Sequence, residues 1–438
     1  MKSKFIQSTI ILLIGGIISK ILGMIIKIVL TRTVGDQGIG LYMLILPTFN
    51  LFITLCSLGM PVAISKLVSE NKKNNKKLVL SLIPISLLFN LILIILLIIS
   101  SPFIAKYLLS NQNTYYPLMA IGLTLPFICI SSIIKGYFFG KEKMFPHTFS
   151  NIIEQIVRLM LIIYIIPKLL VYGINIAITG VVLINILSEF SSIIALIFFI
   201  PKGNYISIND FKYNKEYLKD VLNISIPTTG SRLIGSITYF LEPIILTYIL
   251  LKIGYTSEYI TLEYGIINGY VYPLLLLPSF FTLAISNAIL PIISNTYGKN
   301  NYKETKRKIK QAISLSLIIG IPITIIYMLI PDILLKFIYN TNLGVEYVRY
   351  LAPFFLIYYI QSPLTTALQG MGKAKEAMYG TLIGSIIRIS TLSIISLFKV
   401  GLLGLVISTI SNMLFVTLHH IYCINKSLTP KNKHAFDR

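Results

Sequence analysis

The sequence predicts an all-α polytopic membrane protein, with twelve transmembrane helices in two parallel six-helix lobes around a central cavity. Three observations predict it. Twelve apolar stretches reach or approach the roughly 20 residues that a helix needs to cross a bilayer. Only 12% of the 438 residues are charged while 55% are hydrophobic, and the mean hydropathy is +0.80; a water-soluble fold of this make-up would have too little polar surface to show solvent. Finally, the pattern of the first half recurs in the second at an offset of about 230 residues.

The expected spans are 5–30, 41–64, 79–101, 117–134, 149–171 and 174–200, then 221–251, 265–293, 312–331, 347–370, 377–398 and 401–424. The first is long, lacks a small-residue cleavage site and leads directly into further spans, so it reads as a helix and not as a signal peptide. The spans nearly use up the length, and we expect no soluble catalytic domain. The net charge of +22 reads as topology, not as nucleic-acid binding, because cytoplasmic loops collect lysine and arginine. With the N-terminus inside, 26 basic residues fall on inside segments, 7 fall outside and 5 lie in spans. Both termini are therefore expected in the cytoplasm.

Two blocks carry the repeat. LPTFNLFITLCSLGMPVAIS from Leu46 matches LPSFFTLAISNAILPIIS from Leu277, pairing Pro47 with Pro278 and Pro61 with Pro291. YFFGKEKMFPHTFSNIIEQIVRL matches ALQGMGKAKEAMYGTLIGSIIRI, pairing Gly140 with Gly370 and Arg158 with Arg388. Six helices per repeat is an even number, so both halves enter from the same side. The lobes are expected at 1–220 and 221–438, joined by the polar link 201–220. The prolines within spans 2 and 8 predict bends, since each removes an intrahelical hydrogen bond.

Ionisable groups inside spans are costly and are kept where they face a cavity or a partner. The set is Lys20, Lys27, Glu154, Arg158, Glu189, Arg232, Glu242 and Arg388. Lys20 and Lys27, two turns apart, share a face; Lys20 suits a cavity, while Lys27 suits either a cavity or snorkelling to the outer interface. Glu154 and Arg158 are spaced i, i+4 in the favourable order and read as a self-neutralised pair. Arg388 holds the equivalent repeat position with Gly384 in place of the acid, which makes it a better binding candidate. Arg232 sits in PTTGSRLIG, in a helix opened by Pro227 and thinned by Gly230 and Gly235, where small residues leave room for a ligand's oxygens. Glu242 is a candidate counter-ion, although a ten-residue spacing puts it on another face. Glu189 suits a proton or ion site, or the neutralising of a basic neighbour. A surface of arginine and lysine favours an anion, and guanidinium fits phosphate oxygens bidentately.

Cys56, Cys129 and Cys423 lie in apolar segments and read as buried hydrophobes. His419 and His420, near Cys423, point to different helix faces, so we expect no metal and a headgroup-level position. No phosphate loop, nucleophile elbow or HExxH motif occurs. We expect no enzyme, no cofactor and no nucleic-acid partner. Energy would come from a coupling ion, the membrane potential, or the supply and removal of substrate.

Three stretches resemble the stage V sporulation protein B family: residues 15–70, IPTTGSRLIGSITYFLEPI at 226–244, and YGIINGYVYPLLLLPSFFTLAISNAILPIIS at 264–294. That family belongs to the multidrug/oligosaccharidyl-lipid/polysaccharide exporter superfamily, alongside lipid II and O-antigen flippases. The resemblance implies two six-helix lobes and the flipping of an undecaprenyl-linked sugar for peptidoglycan, in some members during sporulation. Lys20 matches the family's basic position on helix 1, and Arg232 and Glu242 match the SRLIG and FLEP elements of helix 7. The chain departs from lipid II flippases in having no basic residue within helices 2 or 8, and it has twelve spans where many relatives have fourteen.

The reading is a flippase of the bacterial cytoplasmic membrane that moves a diphosphate-linked sugar held by Lys20, Arg232 and Arg388, with membrane lipids and possible cell-wall synthesis enzymes as partners. The alternatives are a drug/cation antiporter of the same superfamily, which the basic helix 1 disfavours, and a non-transporting scaffold for cell-wall synthesis. The topology has a direct test. In a cysteine-free background, an impermeant thiol reagent outside the cell should label cysteines placed at Asn111 and Glu258 and spare those at Asn74 and Asn301; the reverse pattern would overturn the orientation.

Overall fold

The structure, a computed structural model, describes residues 2–70, 74–200 and 207–429, and nearly all of these are helical. Six of the counted basic positions, Lys72, Lys73, Lys202, Lys431, Lys433 and Arg438, fall outside the described residues, as do the side chains of Lys2, Lys4 and Pro227. The helices are α1 (Lys2–Ser57), α2 (Met60–Glu70), α3 (Asn75–Phe103), α4 (Tyr115–Gly140), α5 (Met144–Leu170), α6 (Ile174–Ile197), α7 (Lys215–Ile253) and α8 (Ser257–Ile266). The short α9 (Tyr272–Leu275) leads to α10 (Ser279–Gly298), α11 (Tyr302–Leu329), α12 (Pro331–Tyr339), α13 (Val345–Gly370), α14 (Ala374–Ser396) and α15 (Leu403–Leu428).

Among the described residues, 11 segments are long and apolar enough to cross a bilayer, and the first covers 57 residues, Ile14–Glu70. That is roughly 85 Å of helix, nearly three times the hydrocarbon thickness. It holds two spans. Gly35, at φ 70 and ψ −173, interrupts the helix in a region that residues with a Cβ avoid. Divided there, the segments make the twelve expected spans.

The side chains confirm the solvent. Along α3, Leu88, Leu91, Ile92, Ile95, Leu96 and Ile99 are exposed, while Ser81, Ser86, Asn90 and Ser101 are buried. Water would penalise that arrangement, whereas hydrocarbon accepts it. The chain is a multi-pass membrane protein.

Two compact units form, Met1–Gly269 and Tyr270–Arg438. In the first, α7 packs on α1 and α2, and α8 on α1. Compactness therefore divides the chain later than residue 220, and the lobe boundary drawn there remains a proposal about the sequence repeat. Within the units the same neighbours recur: α4 packs on α2, α3 and α6, and α5 on α6; α13 packs on α10, α11 and α15, and α14 on α15. The caps recur too. Asn74 accepts from the backbone of Lys76 and Lys77 at the start of α3, and Asn301 from that of Glu304 at the start of α11, each meeting orphan amides of the first turn.

Inside the first unit, Asn111 donates to Thr261 (3.0 Å) and Ser257 to the Ser110 carbonyl (2.7 Å), so those two connections share one end. Elsewhere in the unit, Lys76 meets Asp210 at 2.8 Å, and its hydrogen bond holds the Asp210 carboxyl below the usual carboxylate range.

The bends lie beside the prolines more than at them. α1 runs through Pro47. The second span breaks at Leu58 and Gly59, with φ of 42 and 63, just before Pro61. The eighth passes through a π-turn at Ile267–Val271 and breaks again before α10, which starts after Pro278. At that second break Tyr327 donates to the Leu274 carbonyl (2.8 Å) and Tyr359 to that of Leu275 (2.6 Å). Gly59 is constrained twice, because a Cβ there would also lie 2.6 Å from the Thr228 hydroxyl of α7. Gly59→Ala should lower stability by about 2 kcal/mol, read as a lower melting temperature in detergent; an unchanged melt would show that the break tolerates a side chain.

Candidate functional site

Helix spacing assembles a buried ion cluster in the first unit. On α5, Glu154 and Arg158 stand one turn apart and meet at 2.8 Å. Lys135 of α4 reaches the other Glu154 oxygen at 3.0 Å and lies 3.9 Å from Glu189 of α6. Ser188, one residue before Glu189, accepts from Arg158 Nε and Nη2 at 3.4 Å. The side chains of Glu154, Glu189, Lys135 and Arg158 are 9%, 11%, 14% and 23% exposed. At such burial a lone charge is expensive, and each survives because the others surround it.

Beside the cluster lies a cavity of about 250 Å³ between α1, α5 and α6, with Lys27, Tyr42, Gln155, Arg158 and Asn185 among its walls. Lys27 and Tyr42 come from the two arms of α1, one on each side of Gly35. The Lys27 ammonium donates to the Asn268 carbonyl in the π-turn at 2.8 Å. This corrects the snorkelling alternative: a backbone acceptor holds the charge within the protein.

The other predicted residues take separate places. Lys20 and Arg232 are exposed, beside Gly16, Gly23, Gly230 and Gly235, where an added Cβ would meet nothing within 4 Å. Glu242 is 1% exposed and accepts from Tyr264 of α8 at 3.4 Å, on a different face from Arg232 as the ten-residue spacing requires. Arg388 is half-buried on α14 of the second unit. One turn before it, a Cβ on Gly384 would run into Val416 Cγ2, so α15 occupies the space that a glutamate would need. Pairs equivalent by the repeat thus serve different ends.

One expectation changes. Lys135, one residue beyond the expected span 117–134, lies inside α4 and is central to the cluster; the signal for it was the apolar run YFFG that continues the helix beyond it. His420 is 1% exposed and ties α15 to Thr365 of α13 (3.3 Å) and to the Ala377 carbonyl of α14 (3.4 Å). Among the described residues, no group of three His, Cys, Asp or Glu could hold a metal ion.

The sequence matches the polysaccharide biosynthesis protein family over residues 5–297 and the MatE family over residues 268–394. It is 34% identical to stage V sporulation protein B of Bacillus subtilis (strain 168), over 98% of this chain and 85% of that protein. It is 23% identical to the lipid II flippase MurJ of the same organism, over 89% of this chain and 77% of that protein. A solved structure of the lipid II flippase MurJ in an inward closed conformation superposes with a TM-score of 0.73 at 19% identity, covering 95% of this chain and 88% of that one; at that identity the likeness concerns the fold.

The cluster has its own test. Glu154→Ala strands Arg158, leaves Lys135 with Glu189 alone, and should destabilise the protein by about 3–5 kcal/mol, measured by unfolding in detergent. Adding Lys135→Met should cost less than the sum of the two single changes. Strict additivity would show that the cluster does not act as a unit.

Proposed function

Because the chain belongs to the polysaccharide biosynthesis protein family of the multidrug/oligosaccharidyl-lipid/polysaccharide exporter superfamily, we propose that it is a flippase for an undecaprenyl-diphosphate-linked sugar, a peptidoglycan precursor being the foremost candidate. The observation that carries the anionic cargo is the pairing of exposed cations with open space. Lys20 on α1 and Arg232 on α7 both stand beside glycines that face no neighbouring atom. An arginine facing hydrocarbon costs several kcal/mol, so its place is an aqueous space where a charged headgroup travels. Lys20, Lys27 and Arg232 of the first unit would grip the diphosphate oxygens, and the polyprenyl tail would remain in lipid; Arg388 of the second unit is a further candidate for binding an anion. Glu189 and Glu242 are the candidate sites for a coupling ion.

In this reading the protein lies in the bacterial cytoplasmic membrane with both termini in the cytoplasm. The precursor is taken from the inner leaflet and delivered to the outer one, where cell-wall synthesis enzymes consume it. The protein performs transport and leaves covalent bonds unchanged, as the flippases among its relatives do.

The test is reconstitution in vesicles with a panel of lipid-linked sugars, scoring which reach the far leaflet. Arg232→Ala should insert and fold normally and abolish flipping. Arg232→Lys should keep part of the activity, because a point charge cannot make the bidentate contact. Lys20→Ala should give a smaller loss, and the double change little more than Arg232→Ala alone. Wild-type flipping by well-expressed Arg232→Ala protein would end the anionic-cargo reading.

A further inference from the structure

The cavity between α1, α5 and α6 has a sign. Its lining includes two cations, Lys27 and Arg158, and no carboxylate among the described residues. The nearby acids are turned to other work: Glu154 accepts from Lys135 and Arg158, and Glu189 lies toward Lys135. A metal cation would find no hard anionic ligand here. An apolar guest would have to desolvate two charges.

The donors are also held in place. Lys27 spends one of its three N–H groups on the Asn268 carbonyl. Arg158 is fixed through Nε and Nη2 by Ser188 and Glu154, which orients the guanidinium plane and leaves the Nη1 edge unclaimed among the described residues. Gln155, one residue after Glu154, adds a neutral amide to the wall. Asn185 gives its amide nitrogen to the Val181 and Val182 carbonyls and so contributes no donor. The volume of about 250 Å³ is several times the roughly 30 Å³ share of one water, enough for a tetrahedral oxyanion with part of its hydration.

We propose that this cavity is an oxyanion pocket, in which Lys27, Arg158 and Gln155 bind a phosphate group. A fork from α5 and a point charge from α1 lining one cavity suit a tetrahedral anion, and charge-assisted hydrogen bonds are the strong ones. The pocket is built from the first unit alone; it shares Lys27 with the diphosphate grip proposed above, and to that extent deepens that reading. The phosphate has two possible sources, free inorganic phosphate or the diphosphate of a lipid-linked substrate, and the experiment separates them.

Purified full-length protein in nanodiscs of zwitterionic lipid is equilibrated with radiolabelled inorganic phosphate in a buffer free of other oxyanions. Saturable binding of one phosphate per protein is expected. Lys27→Gln, which keeps a donor for the Asn268 carbonyl, should weaken binding by about tenfold or more, the usual effect of losing one charge-assisted donor. Gln155→Leu removes no charge, so a misfolded ion cluster cannot account for its effect; it should weaken binding several-fold with an unchanged melting temperature. Lys106→Gln, remote from the cavity lining, should leave binding as it is.

Displacement of the label by a polyprenyl-diphosphate sugar, with Lys27→Gln weakening both ligands, assigns the pocket to the substrate headgroup. Retention of the label assigns it to the free ion. Absence of saturable binding up to millimolar phosphate, or binding indifferent to both Lys27→Gln and Gln155→Leu, overturns the proposal. If flipping in vesicles persists in that case, the pocket falls and the flippase reading stands.

Discussion

A helix that breaks inside hydrocarbon must replace the backbone hydrogen bonds it loses, and much of this structure follows from that demand. An unsatisfied carbonyl in the membrane costs several kcal/mol. At the break before α10, Tyr327 and Tyr359 supply the missing donors; each brings an apolar ring that hydrocarbon tolerates and a single polar tip. In the π-turn a few residues earlier the donor is Lys27. Both solutions satisfy a carbonyl. Only the lysine also leaves a positive charge and two further donors beside a cavity, so the same requirement that stabilises a distorted helix also sets the sign of its surroundings.

The charge balance of the first unit follows from sharing. Glu154 serves two cations with its two oxygens, and Lys135 stands between two carboxylates. A buried pair gains little over apolar packing, but a broken pair leaves a stranded charge. Among Lys27, Lys135, Arg158, Glu154 and Glu189 one positive charge remains in excess, and the cavity beside Arg158 and Lys27 is where it is felt. Three helices, α4, α5 and α6, are tied by side chains that none of them could bury alone.

Features written in local spacing were legible in the sequence. The spans follow from apolar length, the Glu154–Arg158 contact from an interval of four, and the repeat from matched prolines and glycines. Features that depend on a partner distant in the chain were not. A lysine bonded to a backbone carbonyl 241 residues away has no signature in residue types. Lys135 was hidden because it adjoins loop lysines, and only the extent of α4 separates it from them. The repeat places a boundary at 220, whereas packing of α7 and α8 on α1 carries compactness on to Gly269. The break at Leu58 and Gly59 precedes Pro61, because a glycine closely approached by α7 bends the chain there.

The contrast between Glu154 and Gly384 bears on the ancestry of the chain. If the halves descend from one duplicated gene, they have since become non-exchangeable at this position. A glutamate at 384 would meet Val416 and Asn412 where even a Cβ is crowded; a glycine at 154 would strand Arg158 and leave Lys135 with Glu189 alone. The mismatch belongs to the single residue, because each half carries the sixth helix that suits its own residue: α6 stands beside Glu154, and α15 fills the space at Gly384. Each half has bound its fifth helix to its own neighbours, so exchanging this one residue between the repeats would disrupt either half instead of restoring symmetry.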